Sequence, residues 1–449
     1  MKAVGFWRTY RDEYVALVKL GFPVLLTQLG VIAMGFSDTL MVGAYSVEAL
    51  ASSAFVNSVF LIPLVMLSGL SNGITPLVGA LFTRRQLGEA GRITRAGLQI
   101  NSIVALIFTA VMAALYFRLD IFGQPEDLMP YIREYYLLML GTLLPMALFN
   151  SFAQTSNGLT DTRTPMWCII AAIVANIVGN YALIFGHWGC PRLGLAGAGI
   201  ATLMSRMSGV IVILIAFLCN KKYEPLRGNL LHARALGAER RKVWVTSYPV
   251  MIQSGVECSL WSFGAVACGW FGKIQLAAYQ IVNTIGQLGF MTYMSFGVAV
   301  SVRVANYTGL RNESGIGRVS RAGLHLNMVL ATIASALFWI FDSQLLGFFT
   351  GDAGVVAAGL TFIVPLVLYQ YFDAAQITFI NAIRGTSLVK PLLWISLISY
   401  IAVGIPSLLL FAVGFDWQSV GVYYSFDVAL LVATILAIYF FKIAKLPNT

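Results

Sequence analysis

Long apolar blocks separated by short polar breaks set the pattern of this chain. Leu17 to Ala44, Val243 to Phe271, Thr361 to Ile383 and Val420 to Phe441 each reach the roughly 20 residues that carry a helix across a bilayer. Counting blocks and breaks predicts about twelve spans, near 15–44, 50–82, 93–117, 131–157, 165–187, 194–219, 243–271, 276–308, 318–341, 355–383, 391–414 and 420–442. Helix is the expected form, because a single segment in lipid must satisfy its own backbone hydrogen bonds. The alternating apolar and polar register of a membrane barrel is absent. Pro63, Pro76, Pro145, Pro365 and Pro406 fall inside spans and mark expected bends.

Composition agrees with the pattern. Of 449 residues, 58% are hydrophobic and 11% charged, too few charges to cover a water-facing surface, where about 25% is usual. The net charge of +10 does not call for nucleic acid, because the bases sort by side. Twenty-four of the 29 Lys and Arg fall at the termini and in the loops after every second span, and four on the opposite side, with Arg206 inside a span. That split places both termini in the cytoplasm. Residues 1–15 read as a short amphipathic cytoplasmic segment, with no cleavable signal sequence. The longest connection, 220–242, carries seven bases; it is a surface for anionic membrane lipids or a solvated linker that fixes orientation. The five cysteines match no metal motif and read as small buried hydrophobes.

The chain also repeats at a spacing of 226. Pro23 pairs with Pro249, Arg92 with Arg318, Arg95–Leu98 with Arg321–Leu324, Asn101 with Asn327, and Pro165 with Pro391. Six spans per half, both halves starting inside, make the repeats parallel, an architecture common among transporters. The expected organisation is a cytoplasmic segment 1–15, a six-helix unit 16–219, the basic linker 220–242, a second six-helix unit 243–442 and a tail 443–449.

Four acids fall well inside spans: Asp38, Glu257, Asp373 and Asp427. A carboxylate at mid-bilayer costs at least about 2.5–3.5 kcal/mol on insertion scales, so each should face a cavity, a partner or a cation, or take up a proton. Asp373 shares a helix face with Tyr369, Gln370 and Gln376, and Glu257 with Gln253, Ser254 and Trp261; Gln280 and Asn283 stand on the eighth span. These could line one polar cavity able to bind a cation. Asp38, with Asn176 and Asn180 on one face of the fifth span and Thr202 on the sixth, supplies hard oxygens that suit a small cation such as Na⁺. The alternative is a neutral hydrogen-bond cluster. Asp427 is expected to pair with Arg206, at similar depth in the last span of the other half.

The motifs in order resemble one family. Phe22–Gln28, Ser37-Asp38-Thr39, Val42-Gly43 and Ala49–Ala51, then Gly73–Val78, Asn157–Met166, Ala277–Ile281 and Val302–Asn306, are similar to the signatures of multidrug and toxic compound extrusion transporters over nearly the whole chain. Within it the chain most resembles the bacterial branch often named for norfloxacin export. The resemblance implies a V-shaped, two-lobe, all-α membrane transporter in the cell inner membrane, monomeric and without a cofactor. It would exchange organic cations, held between the halves, for Na⁺ or H⁺. Asp38, Glu257 and Asp373 match the branch's acidic positions, and Asp38, Asn176, Asn180 and Thr202 its proposed sodium site. Asn180 stands where some relatives carry an aspartate, which tilts the coupling ion toward sodium, and Tyr279 where many carry a histidine. Two rivals remain. A lipid-linked sugar flippase would want a basic cavity, yet Arg206 reads as the one base inside a span. A membrane enzyme or receptor would need a catalytic set, and His187, His232 and His325 belong to no motif.

Overall fold

The computed structural model describes the backbone of residues 2–231 and 237–443, and the side chains of 10–230 and 237–443. His232, Arg234 and most of the expected tail lie outside the described residues. Every regular element described is helical.

The helices are α1 (Lys2–Tyr45), α2 (Val47–Ser71), α3 (Ile74–Thr83), α4 (Leu87–Tyr116), α5 (Met129–Leu140), α6 (Leu143–Gly158), α7 (Arg163–Phe185), α8 (Leu195–Cys219), α9 (Glu224–Leu231), α10 (Gly237–Trp270), α11 (Lys273–Gly309), α12 (Glu313–Ile340), α13 (Asp342–Phe349), α14 (Ala353–Leu360), α15 (Ile363–Gly385), α16 (Lys390–Ser396), α17 (Ile405–Leu409) and α18 (Gln418–Ile443). Wide π-type turns over Leu397–Gly404 and Leu410–Gly414 flank α17. Among the described residues, eleven continuous helical stretches are long and apolar enough to cross a membrane. The twelfth expected span is α10, long enough at 34 residues but diluted by Gln253, Glu257 and several Ser and Gly. Polarity is inverted relative to a protein in water. Val329, Ile333, Leu337 and Ile340 form an exposed stripe on α12, whereas Asn101, Asn176, Asn180, Gln370 and Asp373 are buried. That is the arrangement lipid selects.

Of the five expected bends, Pro63 lies inside the unbroken α2 and Pro406 is the second residue of α17; the other three have a common form. Pro76, Pro145 and Pro365 each occupy the third residue of a new helix, α3, α6 and α15. A proline there lacks only an N–H that a first turn leaves unpaired anyway. α15 has 23 residues where its repeat mate α6 has 16, so the repeat spacing is interrupted between the fourth span and its mate the tenth, which carries Asp373.

The chain forms two compact units, Leu26–Met251, and Met1–Leu25 together with Ile252–Thr449. The expected division at the linker 220–242 is thereby displaced. The borders lie inside α1 and α10, at equivalent positions of the two repeats. The segment 1–15 is no separate element either, since α1 runs unbroken from Lys2 to Tyr45. The described part of the linker before residue 232 is helical: α9 packs on α4, with Tyr223 and Leu226 fully buried. Of the cysteines, Cys168 and Cys268 are buried, Cys190 and Cys258 partly so, and Cys219 is exposed. Cys219 corrects the buried reading, for an apolar residue at a helix end in lipid need not be covered.

The repeat governs polar contacts as well as sequence. Asn101 donates to Ser71 at 3.0 Å and Ser151 at 2.6 Å, tying α4 to α2 and α6. Its mate Asn327 donates to Thr378 at 2.9 Å and the Tyr293 carbonyl at 3.4 Å, tying α12 to α15 and α11. Interhelical hydrogen bonds in lipid contribute about 0.6 kcal/mol on average. Asn101→Ala and Asn327→Ala are therefore each expected to cost about 1 kcal/mol, read as a lowered midpoint of thermal unfolding in detergent. An unchanged midpoint in both variants would remove the stapling role.

Candidate cation-binding sites

In the unit containing Ile252–Thr449, α10, α15 and the π-type segment before α17 bring an acidic cluster together. Gln253 on α10 donates through Nε2 to Glu257 Oε2 at 3.2 Å. Gln376 on α15 donates to the Tyr400 hydroxyl at 2.5 Å, and both interact with the Glu257 carboxylate. Asp373 is 1% exposed and neither of its oxygens has a hydrogen-bond partner. It interacts electrostatically with Glu257 and lies near Tyr293, Tyr369 and Tyr400. Gln370 accepts from the Tyr293 hydroxyl at 2.8 Å, and Trp261 meets Tyr369 edge-on, ring centroids 5.4 Å apart. So the structure gathers Glu257, Asp373, Gln253, Gln370, Gln376, Tyr369 and Trp261. Gln280 is exposed and Asn283 half-buried, and among the described residues no side-chain hydrogen bond ties either to the cluster.

Three members escape a reading of spans. Tyr293 sits mid-way along the 37-residue α11. Tyr400 lies in a π-type turn, whose extra residue shifts every following side chain off the 3.6-residue register. Arg384 reads as a loop base, yet it belongs to the last turn of α15 and is 6% exposed. Arg206 is therefore not the one base within a span. The missing side chain of Gly385 lets α11 and α15 approach: a Cβ there would stand 2.6 Å from the Ser301 carbonyl.

In the unit Leu26–Met251, the Asn180 amide donates to Asp38 and, at 3.3 Å, to Asn176 Oδ1. Asn176 in turn donates to Thr202 at 3.5 Å. The four predicted residues thus form one chain of contacts across α1, α7 and α8. Asn180 Oδ1 is buried without a partner; with the Asp38 carboxylate, Asn176 Oδ1 and Thr202 Oγ1 it offers hard oxygens that fit a small cation.

The expected pair of Asp427 with Arg206 is not formed. Arg206 donates to the Thr142 hydroxyl at 3.1 Å and feels the charge of Asp38. Asp427 is 4% exposed, with both oxygens partnerless. The two side chains belong to different units. Lys222 of the linker instead reaches Asp161, at 3.5 Å. Burial alone would raise the Asp161 carboxyl, but hydrogen bonds from Tyr223 and Thr164 and the Lys222 charge outweigh it and hold it below its usual range. Asp161 anchors the folded linker rather than joining either acidic site.

Comparison with known proteins places the chain in a family. The MatE family model matches residues 23–182 and again 249–410, two matches that begin at Pro23 and at its repeat mate Pro249. The multidrug resistance protein NorM of Vibrio cholerae is 26% identical to this chain, over 89% of it and 87% of the relative. That of Aliivibrio fischeri is 27% identical over 89% and 86%. The crystal structure of the eukaryotic MATE transporter AtDTX14 superposes with a TM-score of 0.87 at 18% identity, covering 96% of each chain.

Proposed function

Because the chain belongs to the MatE family of multidrug efflux transporters, we propose that it is a secondary active antiporter, not an enzyme. It exports small organic, mostly cationic, compounds in exchange for Na⁺ or H⁺ by alternating access. The observation that carries this reading is Asp373, an acid buried in a membrane helix with two partnerless oxygens beside Glu257. Such a group must be neutralised, by a proton, a metal ion or an organic cation. A site that serves two cations in turn supplies the differential affinity without which no ligand shifts a conformational equilibrium. A proton or Na⁺ on Asp373 or Glu257 expels the organic cation, and loss of that ion on the cytoplasmic side readies the site again. Asp38, Asn180, Asn176 and Thr202 form a second, Na⁺-type site. The protein is a monomer of the cell inner membrane, with both termini in the cytoplasm and its basic linker facing anionic lipid.

Ethidium efflux from proteoliposomes, with a Na⁺ and a proton gradient imposed separately, tests the reading. Efflux driven by one gradient is expected and names the coupling ion. Folded protein that responds to neither, across a panel of organic cations, would overturn it.

A further inference from the structure

Resting on the cation-coupled reading above, we infer that Arg384 is the fixed counter-charge of Glu257, relayed by the Gln253 amide. The acidic cluster then presents one net negative charge and takes one monovalent cation, held by Asp373.

The geometry begins with Gln253, which is 1% exposed. Its Oε1 accepts from Arg384 Nη2 at 2.8 Å, and its Nε2 donates to Glu257 Oε2 at 3.2 Å. An amide with a guanidinium on one side and a carboxylate on the other has a single satisfactory orientation, because a flip would set donor against donor and acceptor against acceptor. Arg384 Nη1 is further tied to Asn381 at 3.5 Å, so the guanidinium is held from two helices. It cannot give up its proton, and its charge is a permanent part of the cluster.

Glu257 and Arg384 interact electrostatically, yet no direct ion pair joins them among the described residues. One amide of separation lets the guanidinium cancel the Glu257 charge without occupying the carboxylate. Asp373 has no such partner. Two carboxylates and one guanidinium leave one negative charge, which one Na⁺ or one proton completes. Arg384 is a positioning residue here: it acts through Gln253 and Glu257 and touches no transported ion.

The test uses the full chain in proteoliposomes, with ethidium as cargo and the driving ion titrated from the outside. Variants are Arg384→Gln, Arg384→Lys, Glu257→Gln and the double Glu257→Gln/Arg384→Gln. Wild type should respond to the driving ion with a reference Hill coefficient to which this cluster contributes a single site. Arg384→Gln leaves two uncompensated carboxylates. Its Hill coefficient should rise above the wild-type value, and efflux should fall about tenfold or more as two ions must leave this cluster together. Arg384→Lys should behave like wild type. The double variant restores one net charge and should lower the Hill coefficient again and raise efflux above that of Glu257→Gln alone, a rescue that a purely structural arginine would not permit. Should Arg384→Gln fail to fold, the double variant and Arg384→Lys still decide. A double variant that folds and is no better than Glu257→Gln alone, with a Hill coefficient unlike wild type, overturns the inference while the antiporter reading stands. A wild type that responds to neither ion overturns the antiporter reading, and the inference falls with it.

Discussion

Asp373→Asn is expected to abolish gradient-driven efflux, by at least a factor of ten, in protein that remains folded. The new side chain is nearly isosteric, and the aspartate loses no hydrogen bond because its oxygens have none. Stability should therefore hold or improve, since an uncompensated buried charge is itself a cost. Transport should not hold. A cation about 4 Å from a carboxylate gains about 4 kcal/mol at the effective dielectric of a partly hydrated protein site. A factor of ten in affinity needs only about 1.4 kcal/mol. Losing that attraction removes the competition between coupling ion and cargo on which exchange depends. Efflux rates of Asp373→Asn in proteoliposomes, set beside its thermal midpoint, give the answer; wild-type rates in the variant would sink the role assigned to Asp373.

How far the sequence foretold this site depends on what each residue's neighbours are. Asp38, Glu257 and Asp373 stood out because an acid in an apolar helix is conspicuous wherever it points. Asn176 and Asn180 share a face through their i, i+4 spacing along α7, whereas spacing does not join them to Thr202 on α8 or to Asp38; the family resemblance supports that grouping. Arg384 was hidden by its place in the last turn of α15, at a helix end where bases normally meet water; only tertiary packing buries it. Tyr400 was hidden by a π-type turn, which breaks the periodicity that would have assigned its face. Asp427 was misassigned because depth along a span says nothing about which unit the side chain joins. The unit borders inside α1 and α10 were invisible for a related reason. A continuous apolar helix carries no mark where its packing partners change.

The largest stability effect is expected at Glu13, and it separates the two repeats. Arg92 pairs with Glu239, and their repeat mates Arg318 and Glu13 pair with each other. The two pairs are not equal in environment. Glu239 keeps 10% of its side-chain surface and Arg92 35%, whereas Glu13 keeps 4%. Glu13 also accepts from Arg303 at 2.8 and 3.2 Å and from the Tyr307 hydroxyl. The first repeat has Leu77 and Leu81 where the second has Arg303 and Tyr307, so these extra partners belong to one half alone. Removing one member of a buried ion pair costs about 3–5 kcal/mol, because the remaining charge is stranded. With Arg303 and Arg318 partly exposed, Glu13→Ala should fall near the lower end, about 3 kcal/mol. Glu239→Ala, at a pair that is also buried but without counterparts of Arg303 and Tyr307, should cost less, about 2 kcal/mol. Arg303→Leu in the Glu13→Ala background should recover part of the loss, since it removes one of the two stranded charges. Thermal unfolding of the purified variants in detergent compares them directly, and equal destabilisation by Glu13→Ala and Glu239→Ala would show that burial and the added partners do not set the strength of these pairs.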